Sequence, residues 1–579
     1  MKSLGVLNKY FLKYKWHFLL GVIFVTLSTL FRSIQGVIIR DGTNDVLTVI
    51  ETQSGENAKF LWLAIKIIGF ALVSGLFMFL MRQTIIVMSR HIEYDQKNEI
   101  YKQYQKLDVQ FYKSTTTGDL MNRISEDVSK VRMYTGPAIM YLANTTVTII
   151  TVLIFMINVH AKLTLFVLLP LPFLAFIIYK ISDTINRKSR INQEQLSKLT
   201  SLVQETLSGI RLIKAYGKED HFENTLSSEA DDYKGKSLSL VRTEALFAPT
   251  MLMLVAVSTL ITIWYGGKMV IEKEINFGNI TEFIFYIFQL TWPFASLGWV
   301  MSLVQRAAAS QTRINEFLQS EPIIKNSNQE IYEIKGDIEF SNVSFTYPEN
   351  NVTALKNISF KLNAGESLGI TGAVGSGKST ILKLLTRQYD VSSGVIYVDG
   401  KPIQEHNLEV LRNHFGMVPQ EVVLFNESIQ NNISFGFKKD SKHSDEEIIE
   451  AAKNALIHDT IIGFKDKYDT IIGERGVTLS GGQKQRLSIA RALVGKPNLV
   501  LLDDCLSAVD AETESTILLN LKKELNSKTS IVISHRLSGI KNATKILYLK
   551  DGEIIEFGNH TELINAKGAY YKLYSLQNN

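Results

Sequence analysis

The sequence predicts an α-helical membrane domain of six transmembrane helices with long cytoplasmic helical arms, followed by an α/β P-loop domain. Three observations carry this prediction. Six apolar stretches, four of them free of Asp, Glu, Lys and Arg, fall before residue 306. Two long basic connections interrupt them, and beyond residue 321 an apolar strand runs into a glycine-rich loop that opens a helix. About 20 helical residues cross a hydrocarbon core of about 30 Å, so each stretch is long enough to count as a span.

The membrane elements follow in order. The first stretch runs from Trp16 to Ile39, interrupted by Arg32, and the second from Phe60 to Met81, interrupted by Lys66. Met133–Ala161, Leu163–Tyr179, Ala245–Gly267 and Phe283–Gln305 are uninterrupted. Lysines at 2, 9, 13 and 15 precede the first stretch without a small-x-small cleavage site, so it reads as a membrane helix and not as a cleavable signal. Basic residues set the orientation. Arg82–Arg132 holds nine Lys or Arg and Lys180–Arg242 holds eleven, whereas residues 40–59 hold only Arg40 and Lys59. The N-terminus, both long connections and everything after residue 320 are therefore expected on the cytoplasmic side of a cell (cytoplasmic or inner) membrane, with the bilayer as one partner. The connections hold little Pro or Gly and read as helical hairpins. Legs of about 25 residues would reach roughly 35 Å beyond the membrane.

Residues 1–320 are thus assigned to the transmembrane domain and 321–579 to a nucleotide-binding domain. Whole-chain composition averages over the two. The 579 residues are 46% hydrophobic and 21% charged, below the roughly 25% charged of soluble domains. A net charge of +5 without a basic cluster gives no reason to expect nucleic acid. The single cysteine, Cys505, excludes a disulfide framework.

The soluble half alternates apolar strands (Ile338–Phe345, Ser367–Thr371, Leu499–Leu502, Ile531–Ile533) with helical patterns, the signature of an α/β domain. Ser367–Thr371 leads into Gly372-Ala373-Val374-Gly375-Ser376-Gly377-Lys378-Ser379-Thr380 and then a helical run. This is a phosphate-binding loop in its strand, loop, helix setting. Glycines let the backbone wrap a phosphate with N–H groups inward. Lys378 then faces the β and γ phosphates, and the Ser379 hydroxyl is a Mg2+ ligand. The strand Leu499–Leu502 ends in Asp503, the expected metal-side carboxylate.

Leu479-Ser480-Gly481-Gly482-Gln483, about 100 residues after the phosphate loop, brings in a family. The chain resembles the ATP-binding cassette (ABC) exporters, specifically half-transporters with six membrane helices and one nucleotide-binding domain. The resemblance spans essentially its full length and implies ATP and Mg2+ as cofactors. It implies that Tyr347 stacks on adenine, that Gln420 links magnesium to the membrane arms as a third metal-side residue, that Asp510 lies in a loop crossing a dimer interface, and that His535 contacts the γ-phosphate. Phe111-Tyr112 with Thr117–Asp127, and Gly209–Ala215 with Glu219, look like the two coupling segments, and Thr470–Gly476 matches a run beside a partner's arm. In this family Leu479–Gln483 closes over ATP held by the other subunit, so the resemblance implies a dimer with a second half-transporter.

One position departs from the family. Where a Glu polarises the attacking water, this chain has Asp504, whose carboxylate is set back by about one C–C bond, ~1.5 Å. General-base catalysis depends on hydrogen-bond reach, so this chain's own ATP site is expected to hydrolyse slowly. The pattern resembles the degenerate-site subunit of heterodimeric exporters, with a homodimer as the alternative. Phe283, Phe285, Tyr286, Phe288, Trp292, Phe294 and Trp299 crowd the sixth span and suit hydrophobic or amphipathic cargo. A siderophore-type importer and an ATP-gated channel or regulatory subunit remain open as alternatives.

Overall fold

The structure is a computed structural model and describes residues 2–52, 57–326, 328–438, 444–473, 476, 478–505, 511–525 and 528–578. The chain forms two compact units, Met1–Gln105 with Gly118–Ser320, and Lys106–Thr117 with Glu321–Asn579. Lys106–Thr117, from the first basic connection, groups with the second unit.

The first unit is helical. Its main helices are α1 (Lys15–Thr52), α2 (Asn57–Lys106), α4 (Ile139–Leu168), α5 (Pro170–Ser208), α6 (Ile210–Tyr216), α7 (Glu219–Glu244), α8 (Phe247–Ile271) and α9 (Phe277–Gln319), while the short α3 (Val109–Ser114) belongs to the other unit. At 1.5 Å per residue, the 50 residues of α2 extend about 75 Å. One rod therefore holds a membrane crossing and the first leg of a connection. Among the described residues, five helical stretches are long and apolar enough to cross a membrane: Lys15–Ile50, Lys59–Lys106, Thr117–Leu168, Glu219–Ile271 and Phe277–Gln319. The expected span Leu163–Tyr179 is divided at Leu169 between α4 and α5. α4 itself breaks at His160, which is extended (φ −164°, ψ 111°). The imidazole Nδ1 of His160 accepts the Leu163 N–H at 3.3 Å, so the side chain caps the turn that follows.

The core of this unit joins Val152, Met156, Leu163 and Val167 of α4 to Phe283, Tyr286, Ile287 and Leu290 of α9. The aromatic side chains of the sixth span therefore divide. Phe283 and Tyr286 are fully buried in the core, and Phe288, Trp292 and Trp299 are exposed. Gly36 faces the Tyr286 ring, where a Cβ would come within 2.7 Å. Arg32 and Lys66 are both exposed. The buried charge lies elsewhere. Glu282, wholly buried one residue before the expected start of the sixth span, accepts from the Tyr286 hydroxyl (2.9 Å) and the Asn279 amide (3.3 Å), with Arg40 at 3.6 Å. These partners are what make a carboxylate tolerable at that depth.

Beyond α3, the first connection returns through Thr117–Asn122, Val128–Met133 and two π-turns, Arg123–Asp127 and Tyr134–Ala138. Its buried Asp127 takes a two-pronged ion pair from Arg313 of α9, one contact being Nε to Oδ2 at 2.9 Å.

The second unit holds two sheets. The four-stranded antiparallel sheet has the order β2 (Val352–Leu362), β1 (Ile338–Tyr347), β4 (Ser393–Val398), β5 (Lys401–Pro402). The six-stranded sheet has the order β10 (Glu553–Gly558), β9 (Lys545–Lys550), β3 (Ser367–Gly372), β8 (Thr529–Ile533), β7 (Leu499–Asp503), β6 (Phe415–Val418). β9, β3, β8, β7 and β6 are parallel, and β10 is antiparallel to β9. Buried on both faces, β7 reads as an apolar run up to Asp503, and β3 is buried throughout after Ser367. In an open parallel sheet, ligands bind outside the carboxyl ends of the strands, so this topology fixes where chemistry can occur.

Candidate nucleotide-binding site

Four neighbouring strands deliver the predicted residues to one edge. β3 opens into the glycine-rich loop and α10 (Lys378–Leu385), β8 is followed by Ser534 and His535, β7 ends in Asp503 and is followed by Asp504, and β6 is followed by Pro419 and Gln420. Residues spread over 189 positions of sequence, from Tyr347 to His535, therefore line one cavity of about 290 Å³. Its walls include Val374–Thr380, Tyr347, Gln420, Asp503, Asp504 and His535.

The loop is built to receive an anion. Gly377 has φ +97°, and a Cβ there would stand 2.3 Å from the Ala354 carbonyl. Gly372 has φ +145°, and a Cβ there would stand 2.0 Å from the Leu549 carbonyl. Both positions require glycine. Lys378 Nζ folds onto its own loop and donates to the carbonyls of Gly372 (3.0 Å) and Ala373 (2.7 Å). Burial holds its pKa below the usual lysine value, against the pull of Asp503 and Asp504. The buried Ser376 hydroxyl has no hydrogen-bond partner. An incoming phosphate oxygen would satisfy both the ammonium and this hydroxyl.

The oxygen donors fit a hard cation. Ser379 Oγ donates to Asp503 Oδ1 at 3.0 Å, and Gln420 stands at the same cavity. Burial raises the Asp503 pKa, while the Ser379 hydrogen bond works in the opposite direction. Among the described residues no group of three or more His, Cys, Asp or Glu could hold a metal alone. Mg2+ takes one or two protein oxygens together with substrate phosphates, and the hydroxyl, carboxylate and carboxamide at this cavity are oxygen donors of that kind.

Tyr347 stands at the rim. Its hydroxyl lies 3.0 Å from the Thr380 hydroxyl, it accepts from Lys383 Nζ at 3.3 Å, and its ring meets Phe345 and Tyr389 edge-on. Sequence reasoning missed Lys383, Val352, Thr353 and Ala354. The last three line the cavity because β2 pairs with β1 in the register Tyr347 to Val352. No local motif marks them.

Ser480 caps the helix α11 (Gly481–Val494) through a reciprocal box. Its Oγ accepts the Gln483 N–H at 3.3 Å, and Gln483 Oε1 accepts the Ser480 N–H at 2.8 Å. Leu479 is buried beneath, whereas Ser480 and Gly481 are exposed. These residues are not among those lining the cavity. Asp510, Glu474 and Arg475 lie outside the described residues.

In the second of the two expected coupling segments, α6 is bounded by Gly209 and by Gly217 at φ +56° and exposes Ile210, Leu212 and Tyr216. In the first, Asp108 Oδ1 caps α3 by accepting the Phe111 N–H (3.2 Å), and its Oδ2 accepts the Ile323 N–H (2.7 Å).

A parallel sheet with a phosphate loop, an acidic strand end and a capped glycine-rich helix, joined to a unit of membrane-length helices, defines a membrane protein powered by nucleotide. Residues 18–294 match the family described as the ABC transporter transmembrane region, and residues 355–507 match the ABC transporter family. The multidrug resistance-like ATP-binding protein MdlA of Escherichia coli is 35% identical over 518 residues, covering 89% of this chain and 87% of the relative. The probable multidrug resistance ABC transporter ATP-binding/permease protein YheI of Bacillus subtilis is 37% identical over 470 residues, covering 81% and 80%. The ATP-dependent lipid A-core flippase of Syntrophus aciditrophicus is 34% identical over 524 residues, covering 90% and 86%. The chain belongs to the ABC exporters and is a multi-pass membrane half-transporter, with an ATP-binding domain of the kind that couples hydrolysis to transport.

Proposed function

We propose that this chain is one half of an ATP-driven exporter of hydrophobic or amphipathic compounds, paired with a second half-transporter that carries the more hydrolytic site. The observation that carries the reading is the cavity at the carboxyl edge of β3, β8, β7 and β6, which Asp504 lines beside Asp503. Lys378 and the loop amides bind the phosphates, Ser379, Asp503 and Gln420 supply the oxygens for Mg2+, Tyr347 stacks on adenine, and His535 senses the γ-phosphate. Mg2+ neutralises developing phosphate charge when bound. Asp504 is the base and reaches the water poorly.

Two features support a dimer. The exposed cap at Ser480 and Gly481 offers N–H groups to an anion that this chain's own cavity does not bring to it. The exposed apolar side chains of α6 call for a partner surface. Hydrophobic cargo is supported by the names of relatives and by an apolar groove of about 920 Å³ between α8 and α9, walled by Leu252, Val255, Leu260, Trp264 and Phe288 with Thr259. ATP binding across the dimer would then shift the membrane helices between inward-facing and outward-facing populations.

The test is hydrolysis by the purified full-length chain, alone and with the half-transporter that co-purifies from native membranes. The chain alone is expected to hydrolyse ATP weakly, the pair strongly, and Asp504→Glu should raise the rate of the chain alone. Robust turnover by the isolated chain, abolished in Asp504→Asn, would establish a homodimer with Asp504 as an adequate base.

A further inference from the structure

The residue that faces the γ-phosphate in the proposed reading, His535, sits on the short loop after β8, and that loop is held from an unexpected direction. Helix α12 (Ala569–Asn578) reaches it through the side chain of Gln577. Gln577 Nε2 donates to the His535 carbonyl at 2.7 Å, and Gln577 Oε1 accepts the Leu537 N–H at 2.9 Å. One carboxamide thereby occupies a C=O and an N–H two residues apart, the same exchange a neighbouring strand would make. The backbone groups on either side of Arg536 are thereby fixed, which holds the chain immediately after the histidine.

The helix that carries Gln577 is itself held firmly. Tyr570, Leu573 and Tyr574 pack with Leu537, Ile540, Ile546 and Leu563, so positions 570, 573, 574 and 577 form one face of α12. Tyr570 is fully buried and its hydroxyl pairs with His560 Nδ1 at 2.8 Å. Glu556 on β10 accepts from the first N–H groups of the helix, those of Ala569 and, at 3.1 Å, Tyr570. An anchored N-terminus and a packed face deliver the amide on the last turn to one place. On the loop side, Ser534 Oγ accepts the Arg536 N–H at 3.0 Å and donates to the Arg536 carbonyl at 2.8 Å, closing the turn around the histidine.

We propose that Gln577 is a positioning residue for His535, a clamp through which the last helix sets this site's discrimination between ATP and ADP. The proposal rests on reading the cavity as an ATP site. A clamp on the loop backbone matters only for the group His535 contacts, so a nucleotide lacking the γ-phosphate is indifferent to it. A net hydrogen bond is worth about a factor of five in binding, so a clamp whose two bonds together favour the loop seated on a γ-phosphate by the worth of one should, when lost, cost AMP-PNP a factor of ~5 while leaving ADP unchanged.

The experiment measures AMP-PNP and ADP affinities, with Mg2+, for the full-length chain in nanodiscs by competition with a fluorescent nucleotide. Gln577→Ala should lower the AMP-PNP to ADP affinity ratio ~5-fold, beside a small fall in melting temperature from the two lost hydrogen bonds. Gln577→Glu should not restore it, because a carboxylate can accept from Leu537 but cannot donate to the His535 carbonyl. In a His535→Ala background, Gln577→Ala should lower the ratio no further. Equal losses for both nucleotides, or a second fall added to that of His535→Ala, would overturn the clamp. A parent chain that binds neither nucleotide would instead overturn the ATP-site reading beneath it.

Discussion

In the proposed reading, Asp504 carries both a catalytic and a conformational constraint. It adopts φ +45°, a left-handed conformation in which Asp is several-fold enriched among non-glycine residues, and its N–H donates to the Ile533 carbonyl at 2.9 Å. Lengthening it to Glu restores reach but places a residue less suited to that backbone. Asp504→Glu is therefore expected to raise hydrolysis while lowering stability by ~1 kcal/mol, read as a small fall in melting temperature beside a rise in phosphate release. Gly377 is constrained more severely. A Cβ would meet the Ala354 carbonyl at 2.3 Å and the φ of +97° excludes an ordinary residue, so Gly377→Ala should weaken ATP binding by ~1–3 kcal/mol in a fluorescent-nucleotide titration. Lys378 adds a pH dependence. Its pKa is lowered by burial, so the free chain loses the ammonium at lower pH than an exposed lysine would, and bound phosphates favour the charged form. ATP binding should therefore take up a fraction of a proton at alkaline pH and weaken as pH rises through that range. Calorimetry in two buffers of different ionisation enthalpy reads the uptake directly, and a buffer-independent heat would refute it.

Elements differ in how openly the chain announces them. The phosphate loop is legible because its demands are local: glycines at positive φ, a lysine, a hydroxyl, and a strand and helix on either side. The apolar spans are legible because a bilayer imposes length and composition. The breaks within the helical unit are not. The π-turns at Arg123–Asp127 and Tyr134–Ala138 lie where the segment packs against α9, and the apolar run starts at Phe283 although the helix begins at Phe277, which hides Glu282 just outside it. Glu282, Arg40 and Tyr286 are brought together by a contact between helices more than 200 residues apart, and periodicity carries no trace of such a contact. Asp127 and Arg313 are joined in the same way. Asp127 is buried and its partner is half exposed, so removing the arginine leaves a carboxylate stranded. Arg313→Ala should destabilise the helical unit by roughly 3 kcal/mol, and Asp127→Asn with Arg313→Ala should recover part of that loss in thermal unfolding.

At the scale of the whole molecule, the two units answer different solvents, and only their joint action is a function. The nucleotide unit binds and releases a ligand whose energy is spent elsewhere, and the helical unit holds apolar surface that a bilayer or a cargo can cover. If ATP drives the helical unit, uphill movement must depend on Lys378, the residue committed to phosphate, while the membrane assembly of the chain does not. Inverted membrane vesicles containing the chain and its co-purifying partner separate the alternatives. With an amphipathic dye as probe, ATP should drive accumulation inside the vesicle, as an exporter requires, and Lys378→Ala in this chain should abolish or sharply reduce that accumulation at unchanged protein level. Depletion of dye from preloaded vesicles would instead mark an importer. Dissipation of a preformed gradient on adding ATP, with no accumulation, would mark a gated channel. Uphill flux that survives Lys378→Ala here but fails with the equivalent substitution in the partner would place the whole driving force on the partner's site and leave this chain's ATP without a role in transport.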